Sequence, residues 1–262
     1  MFNWELLAAV WRQSLAGVPQ LGWSLLVFAA VVPLEAFFGS HQKVSWGERF
    51  GNLAAMLIHF VLGGVVLTMF FITPIGRKLA EFPRAPRHEW LENPYLWALV
   101  AVFLIDALFY VYHRAQHAIP LFWHIHKLHH TDPAMNITTS KRSHFLERAL
   151  QYLCLTFPMF WILGMNMPGM TYAAIAVSFF LYAAHADIKL NLGPLTPILV
   201  GPQYHRIHHS RLKQHEQANF AQMFPLFDML GGTYVRPGKD EYPATGVAGC
   251  ETAYARWRPL VW

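Results

Sequence analysis

Residues 53–73 read LAAMLIHFVLGGVVLTMFFIT and contain no Asp, Glu, Lys or Arg. A bilayer core is crossed by a helix of about 20 mostly apolar residues, which this run matches. In hydrocarbon every backbone N–H and C=O must be satisfied within the protein, so a chain built on such runs folds as helices or as a closed barrel. Comparable runs occupy 22–38 (GWSLLVFAAVVPLEAFF) and 94–112 (PYLWALVAVFLIDALFYVY). A longer run, 149–186, is interrupted by GMNMPGM. It reads as a helical hairpin, either two short tilted spans or a partly submerged pair, with Pro168 suited to the first turn of the second arm. Only 13% of the 262 residues are charged, against about 25% in soluble domains. The expected fold is all-α and integral to the membrane. About four to five embedded helices are capped by a cytosolic, helical, histidine-rich domain. Residues 1–93 would form an N-terminal interfacial helix and the first transmembrane hairpin, and 94–262 the histidine-rich domain. The opening MFNWELLAAVWRQSLAGVPQ carries Glu5 early and lacks the basic start of a secretory signal. It reads as an amphipathic interfacial helix with Trp4 and Trp11 as anchors.

The net charge of +5 suits anionic lipid headgroups, and more specifically an acidic electron-transfer partner. No nucleic-acid partner is expected. The basic residues pose a topological problem. Arg77, Lys78, Arg84 and Arg87 lie before the 94–112 run, and Arg114, Lys127, Lys141 and Arg142 after it. The positive-inside rule wants both groups in the cytoplasm. Either 94–112 does not fully cross or one basic loop breaks the rule. The two cysteines, Cys154 and Cys250, form no CxxC, which excludes zinc-ribbon and dithiol motifs.

The chemistry-bearing pattern is His-x-x-His-His, written twice: His126, His129 and His130, then His205, His208 and His209. On a helix these spacings share one face, so each triplet is expected to aim at one point. His113 and His117 add an i, i+4 pair, and His185 ends the second arm of the hairpin. Two such triplets arise by chance in roughly one chain of this composition in a thousand. Imidazole is the commonest transition-metal ligand, and nine of them exceed what one ion can hold. Two ions are the natural count. His124 reads as a neighbour of the ligands or as solvated, His144 as a ligand or a structural partner of Glu147, and His215 as lying off the ligand face. His41, His59 and His88 are isolated. Asp106, Asp187 and Asp228 are candidates to orient imidazoles. Asp106 lies two turns before His113, on the same helical face within an apolar segment, where an ionisable group is a functional hypothesis by default. Asn219 is a candidate for a water-mediated metal contact. Phe109, Phe179 and Tyr182 either line a pocket or simply pack.

Five stretches carry a family resemblance: DALFYVYHRAQH, LFWHIHKLHHTD, TTSKRSHFLE, YHRIHHS and ANFAQMFPLFDMLGGTY. They resemble the fatty acid hydroxylase superfamily, which includes sterol desaturases, sterol C4-methyl oxidases, lipid hydroxylases and alkylglycerol monooxygenase. The match runs from about 100 to 236. Ala221, Phe227 and Gly231 stand where the family usually has glycine, tryptophan and phenylalanine. The resemblance implies two iron ions held by histidines, with zinc able to replace them in purified protein, and O2 as co-substrate. It implies a lipid substrate entering from the bilayer and electrons from a ferredoxin, rubredoxin or cytochrome b5 with its reductase. The implied reaction takes hydrogen from an unactivated C–H bond; return of hydroxyl gives an alcohol, and loss of a second hydrogen an alkene. No GxGxxG follows a strand, so the chain is not expected to bind its own flavin or nicotinamide. The compact length, without a fused cytochrome b5 domain, points to a bacterial inner-membrane enzyme with its metal site on the cytoplasmic face. A non-catalytic membrane metal-binding protein or transporter is the competing reading, and a structural membrane protein with a degenerate site is a third.

Overall fold

The structure is a computed structural model and describes residues 18–39, 44–81 and 89–260. The expected interfacial helix with Trp4 and Trp11, and also His41, Arg84, Arg87 and His88, lie outside the described residues. The described residues are helical, with no strand beyond an isolated bridge between Ser210 and Thr245. Among the described residues, four helices are long and apolar enough to cross a membrane. The protein is an all-α integral-membrane protein.

Helix starts follow the sequence closely. Helix α1 (Val18–Phe38) leads to α2 (Trp46–Ile72), capped by Ser45, whose hydroxyl accepts from Glu48 N. The short α3 (Pro74–Ala80) is capped by Thr73. Helix α4 (Pro94–Ala118) begins at Asn93, which accepts from the N–H groups of Tyr95 and Leu96 while Pro94 fills the first turn. A proline in the first turn lacks only an N–H that would have had no helical partner. The same device opens α5 (Pro120–His130). Helix α6 covers 147–163, with a π-helical stretch over Tyr152–Thr156, and ends at Gly164 with φ +69°. Asn166 caps α7 (Met167–His185), with Pro168 in its first turn. Thus 149–186 is the expected hairpin. Helix α2 starts earlier than its apolar run because its first turns carry Arg49 and Asn52, which the core holds by hydrogen bonds rather than by hydropathy.

These contacts give the topology. Arg49 and Asn52, at the start of α2, reach Asn136 and Asp132 in the histidine-rich segment. At the other end of the body, Asn166 donates to the carbonyls of Leu91 and Glu92. Helices α4 and α7 therefore run in parallel, packed on each other, from that far end to the histidines, and α6 runs back against α4. Segments 119–146 and 186–260 gather at one end. Helix α4 has 25 residues and carries His113 and His117 in its last two turns. Arg77 and Lys78, in α3, sit a full helix away from the histidines. Leu26, Phe37, Leu99, Val111 and Phe179 project outward, as lipid-facing residues do.

Candidate metal centre

The nine histidines meet at the end of the helix bundle in two groups. His113, His117, His126, His130 and His208 form a five-histidine cage; His129, His185, His205 and His209 form a four-histidine cage. Within each, the ligand nitrogens all lie within 4.8 Å of one another. The expectation that each triplet aims at one point is overturned. In the first triplet, His126 and His130 enter the five-histidine cage and His129 the other. In the second, the order reverses: His205 and His209 enter the four-histidine cage and His208 the five-histidine one. The physical reason is angular. Residues i and i+4 lie 40° apart around a helix, whereas i+3 falls 60° to the other side, so the middle imidazole points to a neighbouring centre. His130 and His209 stack at the shared wall, 4.3 Å between centroids.

The hydrogen bonds test whether the cages suit cations. His113 Nδ1 donates to Phe220 O and His126 Nδ1 to Glu147 Oε1, both at 2.8 Å. Their Nε2 atoms are then lone-pair acceptors, and they face each other at 3.1 Å. In the other cage His185 Nδ1 donates to Leu181 O and His129 Nδ1 to Arg142 O, and their Nε2 atoms stand 3.0 Å apart. Two lone pairs cannot hydrogen-bond one another; a shared cation relieves the contact. Ligands at about 2.1 Å from an ion and at right angles to one another would be about 3.0 Å apart, which is the spacing found. His208 Nδ1 donates to Ala218 O, and its buried Nε2 has no partner among the described residues. Burial, and then the neighbouring imidazoles, holds His129, His130, His205, His208 and His209 well below the ordinary histidine pKa. The cages are thus neutral donor sets, and both fit a metal ion.

The carboxylates are placed differently from the sequence expectation. Glu147 is the one that orients an imidazole, and it also accepts from Gln116 Nε2 at 3.0 Å. It was read only as a partner for His144; its place at the mouth of an apolar arm was the available signal. Asp106 touches no histidine. Its carboxylate accepts the backbone N–H groups of Gln222, Met223 and Phe224 at 2.7–3.1 Å, and so anchors the segment whose Phe220 carbonyl holds His113. Asp228 accepts from Phe220 N, Ala221 N and the Tyr204 hydroxyl. Asp187 pairs with Arg206. The Asn219 amide donates to Tyr204 O and Val235 O and accepts from Val235 N, fixing a left-handed residue with φ +60°. His144 and His215 lie outside both cages, and His215 pairs with Glu241.

A cavity of about 570 Å³ opens onto both cages, reaching His113, His126, His129, His185 and His205. On α4 its wall is the stripe Trp97, Ala101, Ile105, Phe109 and His113, about 24 Å long at 1.5 Å per residue. Leu155 and Met159 of α6 and Ala173, Val177 and Leu181 of α7 complete an apolar slot. Phe109 and Tyr182 line it, while Phe179 faces outward. None of Ala221, Phe227 and Gly231 lines the cavity. A side chain at Gly231 would collide with the Tyr110 hydroxyl, which accounts for glycine there.

Comparison with known proteins agrees with this architecture. The fatty acid hydroxylase family model matches residues 98–233. An ornithine lipid hydroxylase of Rhizobium tropici is 24% identical, over 87% of this chain and 71% of its own length. An alkylglycerol monooxygenase of Xenopus tropicalis is 30% identical over 68% of this chain, which spans 37% of that protein. A very-long-chain aldehyde decarbonylase of rice is 24% identical over 70% of the chain and 29% of its own length. No solved structure matches the chain. The segment matched by the family model spans more than half of the chain and includes every imidazole of both cages, and the chain belongs to the fatty acid hydroxylase family.

Proposed function

We propose that this protein is a membrane-bound non-haem di-iron oxygenase that hydroxylates, or desaturates, an unactivated C–H bond of a lipid. The single observation that carries the reading is the pair of all-histidine cages, with acceptor nitrogens facing one another, bordering an apolar slot. An oxidoreductase acting on lipid is the class to which its hydroxylase and monooxygenase relatives belong. The nine histidines would hold two irons, with zinc able to take their place in purified protein. Bound iron supplies the O2 and one-electron chemistry that no side chain here performs.

The chain's own groups supply the rest. Glu147 and the carbonyls of Phe220, Arg142, Leu181 and Ala218 fix the imidazole tautomers, so that lone pairs point inward without rearrangement. The slot binds an apolar chain, strips it of water and leads it to the cages. Hydroxylation is favoured over desaturation because it is the outcome named for more of the relatives. Electrons would come from a separate ferredoxin, rubredoxin or cytochrome b5 with its reductase. Residues 94–262 would be the catalytic unit and 1–93 an accessory membrane hairpin, with the cages on the cytoplasmic face of a bacterial inner membrane.

The test is metal content and O2 uptake of detergent-purified protein. About two irons per chain, lost in His129→Ala, together with O2 consumption dependent on a lipid and an electron donor, support the reading. Tight metal binding with no O2 uptake on any lipid tried moves the assignment to a metal-binding or transport protein.

A further inference from the structure

The cavity has a second chemical character that the hydroxylase reading leaves unused. Beside the cages its wall carries two cations, Lys141 and Arg148. Neither has a carboxylate partner among the described residues. The one carboxylate lining the cavity, Glu147, is already taken by His126 and Gln116. The Lys141 ammonium lies over the Tyr182 ring, 5.2 Å from its centroid, and burial holds its pKa down to about 8, so it is still mostly charged at neutral pH. Arg148 gives one N–H to Phe60 O and rests against the Phe60 ring, leaving other donors free. Exposed basic side chains avoid such cost by reaching water; Lys141 and Arg148 are only partly exposed and border the cavity. A cation held in a low-dielectric wall without a counter-ion is costly, and a ligand that brings the counter-ion removes that cost.

We infer that Lys141 and Arg148 form a subsite for the anionic headgroup, carboxylate or phosphate, of the lipid that this chain oxidises. The inference rests on the hydroxylase reading for its substrate and deepens it. It also orients that substrate. Tyr182 lies one turn before His185, so a headgroup on Lys141 sits beside the four-histidine cage. The tail then runs along the slot toward Trp97, and the C–H bond offered to the cages belongs to the first few atoms after the headgroup.

Binding, measured without O2 or reductant, tests the subsite independently of turnover. The full chain in phosphatidylcholine nanodiscs is loaded with radiolabelled tetradecanol, and unlabelled tetradecanol, tetradecanoate and tetradecyl phosphate compete for it. Lys141→Gln, Lys141→Arg and Arg148→Gln are run beside the unmodified chain. Tetradecanol competing with itself reports on folding of each variant. The two anions should displace the label at about tenfold lower concentration than the alcohol does, the increment of one charge-assisted hydrogen bond. Lys141→Gln should remove that preference and Lys141→Arg should keep it. An equal response to alcohol and anions in the unmodified chain, or a preference untouched by Lys141→Gln, would overturn the subsite. Competition by inorganic phosphate alone as strong as by tetradecyl phosphate would overturn the headgroup assignment. Intact anion preference in a protein that never consumes O2 would sink the oxygenase reading and leave the subsite standing.

Discussion

Glu147 occupies a position where one atom decides the state of another. Its Oε1 holds the Nδ1–H of His126. Removing such an orienting carboxylate typically costs 10–100-fold in metal affinity. Glu147→Leu is expected to lower affinity by about that factor, read by chelator competition, whereas Glu147→Gln keeps an acceptor oxygen and should lose much less. Asp106 acts at a distance. Asp106→Ala strands three backbone N–H groups, each worth about 1–3 kcal/mol when buried and unpaired. The expected outcome is a marked drop in thermal stability in detergent, with two metals still bound below the transition. Retained stability would show that water replaces the carboxylate. The clustering of the nine histidines was legible in the sequence because their spacing is improbable. The partners of their far nitrogens were not, because carbonyls of Phe220, Arg142 and Ala218 carry no residue-type signature, and Asp106 reaches its targets 116–118 residues away.

Among elements, the parallel pair α4 and α7 sets the width of the slot. Gly169 permits the close pass: a Cβ there would lie 2.9 Å from Trp97 Cε3 and 3.0 Å from Pro94 O. Gly169→Val should wedge the far end of the pair apart, lower stability and change the preferred chain length of bound lipid. An unchanged melting temperature would argue that the far end is slack. Apolar runs located the start of α4, and Pro168 the first turn of α7, but the 94–112 run stops six residues short of the end of α4 at Ala118. What hydropathy did not reveal is the polar entry of α2, whose Arg49 and Asn52 are bonded inside the protein, nor the π-helical stretch over Tyr152–Thr156. The split of each triplet between cages was equally hidden: spacing tells which residues share a helix face, and tertiary placement of α4, α5 and the Pro202–His208 helix decides which centre each one meets.

For the molecule as a whole, proton and metal compete for the same nitrogens. With the metals removed by chelator, the buried imidazoles outside the spans stay neutral when folded, because their pKa values are lowered. The unfolded chain takes up protons as pH falls below about 6.5. It then binds more protons than the folded chain, so stability is full above that pH and is lost on acidification. Metal-free protein should melt several degrees lower at pH 5.5 than at pH 7.5, with metal reloading narrowing the gap. A melting temperature independent of pH would count against neutral, closely apposed imidazoles.

The crossing of neighbours His129 with His130, and of His208 with His209, into different cages has a consequence for assembly. Whichever ion arrives first pins both triplets, and in doing so positions three of the imidazoles awaiting the second ion, out of four or of five. Occupancy becomes close to all-or-none. Native mass spectrometry during a substoichiometric titration should find chains carrying none or two, with singly loaded chains scarce. A binomial spread of zero, one and two would mean that the shared wall transmits nothing. Interleaving of this kind also leaves no simple inherited route to a one-metal descendant, because damage to either motif reaches both ions at once.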